Sequence, residues 1–247
     1  MIPIRFVAMS YNLWKTNRWP EREDSLRALM RATPPDILCL QELRPETRDV
    51  LDEELGGHAR VNDPFDGWTM EGNIYWHRGL FEYVLHGAEQ IGILEELRRL
   101  FWVRLRVNAD GRTILVATAH YTYQRDAREA ETGFSPRLDQ ARATITALEG
   151  LALPEEPVLF TGDLNDSENP IHLLRAAGYS DSFTGTGRIP RPTCPAYPMV
   201  TGAPQVLDWQ LTRGPIRTLS TEVVDFFANG IAPSDHKPVV AVYALDP

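Results

Sequence analysis

Cysteine is almost missing: Cys39 and Cys194 are the two in the chain. Two thiols cannot supply the disulfide framework that small secreted folds use in place of a core. No apolar run approaches the ~18 residues needed to cross a bilayer, and no amphipathic anchor stands out. The first residues, Met1-Ile2-Pro3-Ile4-Arg5-Phe6, lack the basic start and apolar stretch of a secretory signal, so a cytoplasmic location is expected. Basic residues are in short supply: 25 Lys and Arg face 34 Asp and Glu, a formal charge of −9. Such a balance opposes indiscriminate binding to nucleic acid or anionic membrane. Internal repeats and low-complexity tracts are absent too, so nothing marks a linker.

What remains is an ordinary globular composition. Of 247 residues, 43% are hydrophobic and 24% charged, enough to bury a core without disulfides or a structural metal. A single domain over residues 1–247 is the expectation.

Residues 4–13 form a nearly continuous apolar run, as in a strand buried on both faces. Residues 21–32 carry Leu26, Leu29 and Met30 at helical spacing, and Thr33-Pro34-Pro35 ends them. The pattern predicts further strands at 37–40, 73–77, 81–86, 101–107, 113–120, 158–162, 206–212 and 238–245. It predicts helices at 45–55, 171–177 and after Ser135-Pro136, where an N-cap precedes proline at the first helical position. Prolines cluster at 190–204, which reads as one long loop. Strands outnumber helices and most read as buried on both sides, which two packed sheets with helices outside satisfy better than one sheet.

Polar residues gather where the strands end. The first strand runs into Ser10-Tyr11-Asn12, the second into Gln41-Glu42, another into Thr118-Ala119-His120. Residues 158–162 lead to Gly162-Asp163-Leu164-Asn165. Asp208 alternates with Leu207 and Trp209, and Ser234-Asp235-His236 precedes the last strand. Taken singly, each has a bland reading: turn residues, a solvated strand exit, a surface histidine. Asp208 resists that reading, because its parity points it into a face that is itself buried, where a carboxylate needs partners. Asp163 and Asn165 share parity and face one side. Were these groups to converge, Glu42, Asp163, Asp208 and Asp235 would repel strongly, and a bound cation would remove that cost. Carboxylate and amide oxygens suit Mg²⁺ or Mn²⁺ better than zinc, which points to metal-assisted phosphoryl chemistry.

The ordered set of Tyr11-Asn12, Leu40-Gln41-Glu42, Asn73-Ile74-Tyr75-Trp76, Thr118-Ala119-His120, Arg137 with Gln140, Gly162-Asp163-Leu164-Asn165, Leu207-Asp208-Trp209 and Ser234-Asp235-His236 resembles the endonuclease/exonuclease/phosphatase superfamily. The resemblance runs from about residue 4 to 245. It implies an α/β fold, a four-layer α/β/β/α sandwich of two mixed sheets flanked by helices. It also implies a Mg²⁺-dependent phosphodiesterase, with Mn²⁺ as a substitute. On that resemblance Glu42 is the main metal ligand, with Asn12 beside it and Asp235 contributing. Asp163 handles the attacking water, Asn165 holds the scissile phosphate or a metal, and Asp208 orients His236. His236 and His120 donate to the phosphate. Two departures bear on substrate: Tyr121-Thr122-Tyr123-Gln124 does not follow the pattern of the abasic-site nucleases, and Val206-Leu207 replaces a usual basic residue.

Trp14-Lys15-Thr16-Asn17-Arg18-Trp19 offers two aromatics and two cations next to Asn12. Trp14, Arg188 and Tyr121 are the expected substrate contacts beside Asn165 and His120. Arg98, Arg99, Arg104 and Arg106 are expected on surfaces away from the site. The reading that results is a hydrolase of a compact phosphate ester or short nucleic acid, with long duplex DNA disfavoured. A dedicated DNA or RNA nuclease, or a non-catalytic binding protein on the same fold, are the alternatives; chelator-sensitive hydrolysis separates the last from the others.

Overall fold

The computed structural model describes residues 4–198 and 200–246. Its elements are β1 (Ile4–Asn12), α1 (Glu23–Ala32), β2 (Ile37–Gln41), α2 (Pro45–Glu54), β3 (His58–Arg60), α3 (Gly67–Met70), β4 (Gly72–His77), β5 (Phe81–Glu89), β6 (Leu100–Val107), β7 (Thr113–His120), α4 (Ala127–Thr132), α5 (Pro136–Leu151), β8 (Val158–Asp163), α6 (Asn169–Ala176), β9 (Ser180–Asp181), α7 (Ser182–Gly185), β10 (Asp208–Arg213), β11 (Ile216–Val223) and β12 (Val239–Leu245). They make two mixed six-stranded sheets, ordered β11-β12-β1-β2-β4-β3 and β5-β6-β7-β8-β10-β9.

Strand parity explains the layers. In β1, Phe6 and Ala8 join the core between the sheets, while Met9 and Tyr11 pack outward with Leu26, Leu29, Val50 and Leu51 of α1 and α2. In β7, Ile114 and Val116 point inward. Leu115, Ala117 and Ala119 meet Leu148 of α5 and Leu174 of α6 on the other side. Period-2 alternation with both faces apolar produces a buried strand covered on each side. The expected α/β/β/α sandwich is therefore the observed one. The strand β11 and the short elements β3, β9, α3, α4 and α7 add to the expected list.

The same parity places polar side chains. Asn12 shares the inner parity of Ala8, Gln41 that of Cys39, His120 that of Val116, and Asp163 that of Leu159, and all these strands end here. β1 and β2 run parallel, pairing Asn12 with Gln41. β7 and β8 run parallel, pairing His120 with Asp163. β10 is antiparallel to β8 and starts at the same end, with Asp208 opposite Asp163. Gln41 Nε2 crosses between the sheets to Thr118 Oγ1 at 2.8 Å. One edge of the inter-sheet space is thus lined with polar groups while the rest is apolar.

Gly162 makes the approach of β7 and β8 possible. A Cβ there, at φ +156°, would lie 2.1 Å from the Ala119 carbonyl oxygen. Backbone cannot yield as a flexible side chain does. Gly162→Ala is expected to destabilise the protein by about 3 kcal/mol or more, read by denaturant unfolding; a loss below about 1 kcal/mol would show that the strands part easily.

Candidate active site

Asp163 sits at the centre. It is 1% exposed. Its Oδ2 accepts from Asn12 Nδ2 at 2.9 Å and lies 3.4 Å from His120 Nε2 and 3.7 Å from His236 Nε2. Its Oδ1 accepts the Asn165 backbone N–H at 2.9 Å. Burial raises the Asp163 pKa to about 7, against the pull of His236, and the neighbouring Asp208 adds to the rise. A carboxylate tuned to neutrality is suited to taking a proton from water.

Asp208 Oδ2 meets His236 Nδ1 at 2.7 Å. Burial alone would push this imidazole down, but the Asp208 and Asp163 carboxylates lift it well above its ordinary value. Asp208 is held in turn: Thr193 Oγ1 accepts its backbone N–H at 3.1 Å. Burial, together with the Arg98, His236 and Lys15 charges, holds His120 well below the usual histidine range. The two histidines therefore differ, His236 an imidazolium and His120 a neutral ring whose Nδ1 is buried without a partner.

Glu42 follows β2 in a left-handed conformation, φ +54°, which turns its carboxylate back over the strand ends. It lies 3.6 Å from Arg98 Nη2 and 3.9 Å from His120 Nδ1. Burial raises the pKa of Glu42, with Lys15 and Arg98 opposing and Asp235 adding to the rise. Asp235 is likewise raised, first by burial. Ser234 Oγ donates to the Asn12 carbonyl at 2.7 Å and to Asp235 Oδ1 at 3.3 Å, joining the β1 and β12 ends. Glu42, Asp235 and the Asn12 amide are a partly buried oxygen donor set with excess negative charge, which a hard divalent cation fits. Asp163, Asp208 and His236 also place donor atoms within 4.8 Å of one another. With His236 Nδ1 engaged by Asp208, this trio is also joined by hydrogen bonding.

The loop after Asn12 is fixed by a residue the sequence does not single out. Arg22 is fully buried and has backbone carbonyls as partners: Asn17 at 2.7 Å, Leu13 at 3.1 Å, Lys15 at 3.0 Å, Trp14 at 3.4 Å, and Pro233. It also lies over the Trp14 ring at 5.1 Å. These bonds hold Trp14 and Lys15 at φ +57° and +50°, a left-handed pair that costs roughly 1–2 kcal/mol per residue.

Three expectations need correction. Tyr121 is fully buried, its hydroxyl 2.7 Å from Thr144 Oγ1; it shares the outward parity of Ala119 and packs under α5, so it cannot touch substrate. Its carbonyl does reach the site, accepting from Asn165 Nδ2 at 3.0 Å. Arg188 is exposed and pinned to the Thr221 carbonyl of β11 at 3.0 Å, with no site group among its described partners. Arg98 is not remote: it is 5% exposed and binds Glu71 at 3.1 Å and Glu95 at 2.9 Å as well as facing Glu42. Arg104 is buried too, paired with Glu156 at 2.8 Å, at a distance from this cluster. The Trp14 backbone N–H donates to Asn12 Oδ1 at 2.9 Å, while its ring packs against the Arg22 guanidinium.

The Asp208–His236 pair yields a titration. In metal-free protein the His236 ring is expected to titrate well above the ordinary histidine range, and to titrate lower in Asp208→Asn. Imidazole nitrogen shifts read this directly; an unchanged midpoint in the variant would show that Asp208 does not hold the charge.

Residues 9–236 match the Endonuclease/Exonuclease/phosphatase family. No curated protein matches the chain. Among solved structures, an endonuclease/exonuclease/phosphatase family protein from Bacteroides thetaiotaomicron has a TM-score of 0.83 at 17% identity, covering 100% of both chains. A mannosyl-6-phosphatase from the same organism has a TM-score of 0.78 at 17% identity, covering 96% of this chain and 98% of its own. D. rerio TDP2 complexed with single strand DNA product has a TM-score of 0.76 at 15% identity, covering 97% and 98%. With the sandwich, the strand-end cluster and the match over residues 9–236 in agreement, the chain belongs to the endonuclease/exonuclease/phosphatase family of phosphoester hydrolases and nucleases.

Proposed function

We propose that this single-domain protein is a Mg²⁺-dependent hydrolase of compact phosphate esters that acts by in-line attack of water. The observation that carries the reading is Asp163, a buried carboxylate whose Oδ2 lies 3.4 Å from His120 Nε2 and 3.7 Å from His236 Nε2. Asp163 takes the proton of the attacking water, with Asn12 Nδ2 and the Asn165 N–H fixing its two oxygens. His236, charged and steadied by Asp208, offers Nε2–H to the phosphoryl oxygens as negative charge grows on them. Neutral His120 donates from Nε2, and the Asn165 side chain borders the same space. Glu42, Asn12 and Asp235 would hold the cation, which polarises the phosphoryl group and offsets its charge. Mn²⁺ suits the same oxygen set.

The supply of free cations argues for a compact substrate. Most arginines are spent internally on carboxylates: Arg27 and Arg31 on Glu54, Arg44 and Arg98 on Glu71, Arg104 on Glu156, Arg137 on Glu129, Arg175 on Asp181. A guanidinium already paired is not available to track a polymer of phosphates. The mannosyl-6-phosphatase relative is named for a substrate of the compact kind.

Hydrolysis of small phosphate esters should require a divalent metal and stop in excess EDTA, and Glu42→Ala should weaken Mg²⁺ binding measured by calorimetry. Asp163→Asn should keep the fold and lose about 10²–10⁴-fold in kcat; full turnover in EDTA or in that variant would remove the proposed chemistry. The Asp163→Asn protein should also bind a duplex of roughly 20 base pairs more weakly than micromolar at physiological salt. A salt slope near −0.9 for each of five or more phosphates would instead favour a dedicated nuclease.

A further inference from the structure

Lys15 differs from the other cations around the site. Its backbone is tied to the metal-binding strand end, since its N–H donates to the Glu42 carbonyl at 3.2 Å. Trp14 and Lys15 form a left-handed turn whose carbonyls are clamped by Arg22. Its charge acts on both Glu42 and His120, whose side chains approach within 3.9 Å of each other. It is half-buried, and among the described residues no carboxylate lies within 4.0 Å of its Nζ. Arg98, by contrast, is shared by Glu42, Glu71 and Glu95. His236 is clasped by Asp208, and Arg18 is paired with Glu21. Around the buried carboxylates, Lys15 is thus a cation left without a protein anion.

We propose that Lys15 is a substrate-binding residue that meets a non-bridging oxygen of the phosphoryl group, and that it biases the site toward phosphomonoester dianions over diesters. This rests on the hydrolase reading above and names its substrate class. A diester presents one negative charge, shared over two non-bridging oxygens. A monoester presents two, over three. The third oxygen needs a donor that a diester does not, and a flexible ammonium with three N–H groups is such a donor. Four carboxylates in the cluster oppose any incoming anion, so an uncommitted cation matters more as substrate charge rises.

The test uses the full chain with Mg²⁺ and three probes: p-nitrophenyl phosphate, bis(p-nitrophenyl) phosphate and inorganic phosphate. In Lys15→Met, kcat/KM for the monoester should fall about 10- to 100-fold, the range of one charge-assisted hydrogen bond, and that for the diester by less than about threefold. Inorganic phosphate should bind correspondingly more weakly by calorimetry, and Lys15→Arg should recover most of the loss. Equal losses on the two esters, or unchanged phosphate binding in a folded Lys15→Met protein, would overturn the assignment. If the wild-type chain cleaved neither ester, the hydrolase reading would fall, while the phosphate-binding comparison would still decide whether Lys15 receives an anion.

Discussion

Two buried carboxylates face each other across a pair of antiparallel strands, and the site is organised around that conflict. Asp163 and Asp208 occupy directly opposed positions of β8 and β10, where like charges destabilise a sheet. An apolar environment magnifies the repulsion. His236 answers it by placing an imidazolium between them, bonded to Asp208 and facing Asp163. The solution leaves the two acids unequal. Asp208 is bonded to the imidazole at 2.7 Å, and Asp163 keeps a raised affinity for protons. An acid–base asymmetry thus follows from strand register plus one histidine supplied by the turn before β12.

The remaining strand ends are drawn into the same arrangement. Asn12 bonds Asp163 from the other sheet, Ser234 ties the Asn12 carbonyl to the Asp235 turn, and Gln41 bridges the sheets just beneath. The polar edge therefore closes the gap between two sheets whose shared interior is apolar. Relatives at 15–17% identity keep this sandwich, which is consistent with a layered core tolerating wide sequence change as long as parity and volume survive. Such likeness speaks to fold, and the substrate is decided by the side chains around the polar edge.

That division explains what the sequence made legible. The layers were readable because buried strands announce themselves as apolar runs, and the site because charged residues at the ends of such runs have few structural excuses. Strand parity also bears on Tyr121: with His120 facing inward, its neighbour faces out, toward α5. β11 escaped because it is an edge strand with exposed Arg217, Leu219 and Ser220, and an irregularity between Thr218 and Ser220 breaks the alternation. Arg98 and Arg22 escaped for a different reason. Their roles depend on partners far along the chain, such as Glu42 for Arg98 and the Pro233 carbonyl for Arg22, and no local pattern encodes which distant loop a side chain will meet. Their burial has no local signal either, since arginine is seldom fully buried unless paired.

Strain is distributed in keeping with this picture. Trp14, Lys15, Glu42 and Asn165 all adopt positive φ without being glycine, and each touches the polar edge. Backbone of this kind persists only where surrounding contacts over-determine it. Here those contacts are visible: Arg22 grips the carbonyls of Trp14 and Lys15, the Lys15 N–H bonds the Glu42 carbonyl, and Asn165 is held between the Asp163 carboxylate and the Tyr121 carbonyl. The bonds do not relax the strain; they convert it into fixed direction for four side chains. A left-handed residue at the end of a strand reverses the path of the chain within one position, so its side chain can return over the sheet edge instead of continuing outward. In that way the Glu42 carboxylate after β2 and the Asn165 amide after β8 both reach the polar edge between the two sheets. The apolar interior of the sandwich supplies the stability that makes the distortion tolerable.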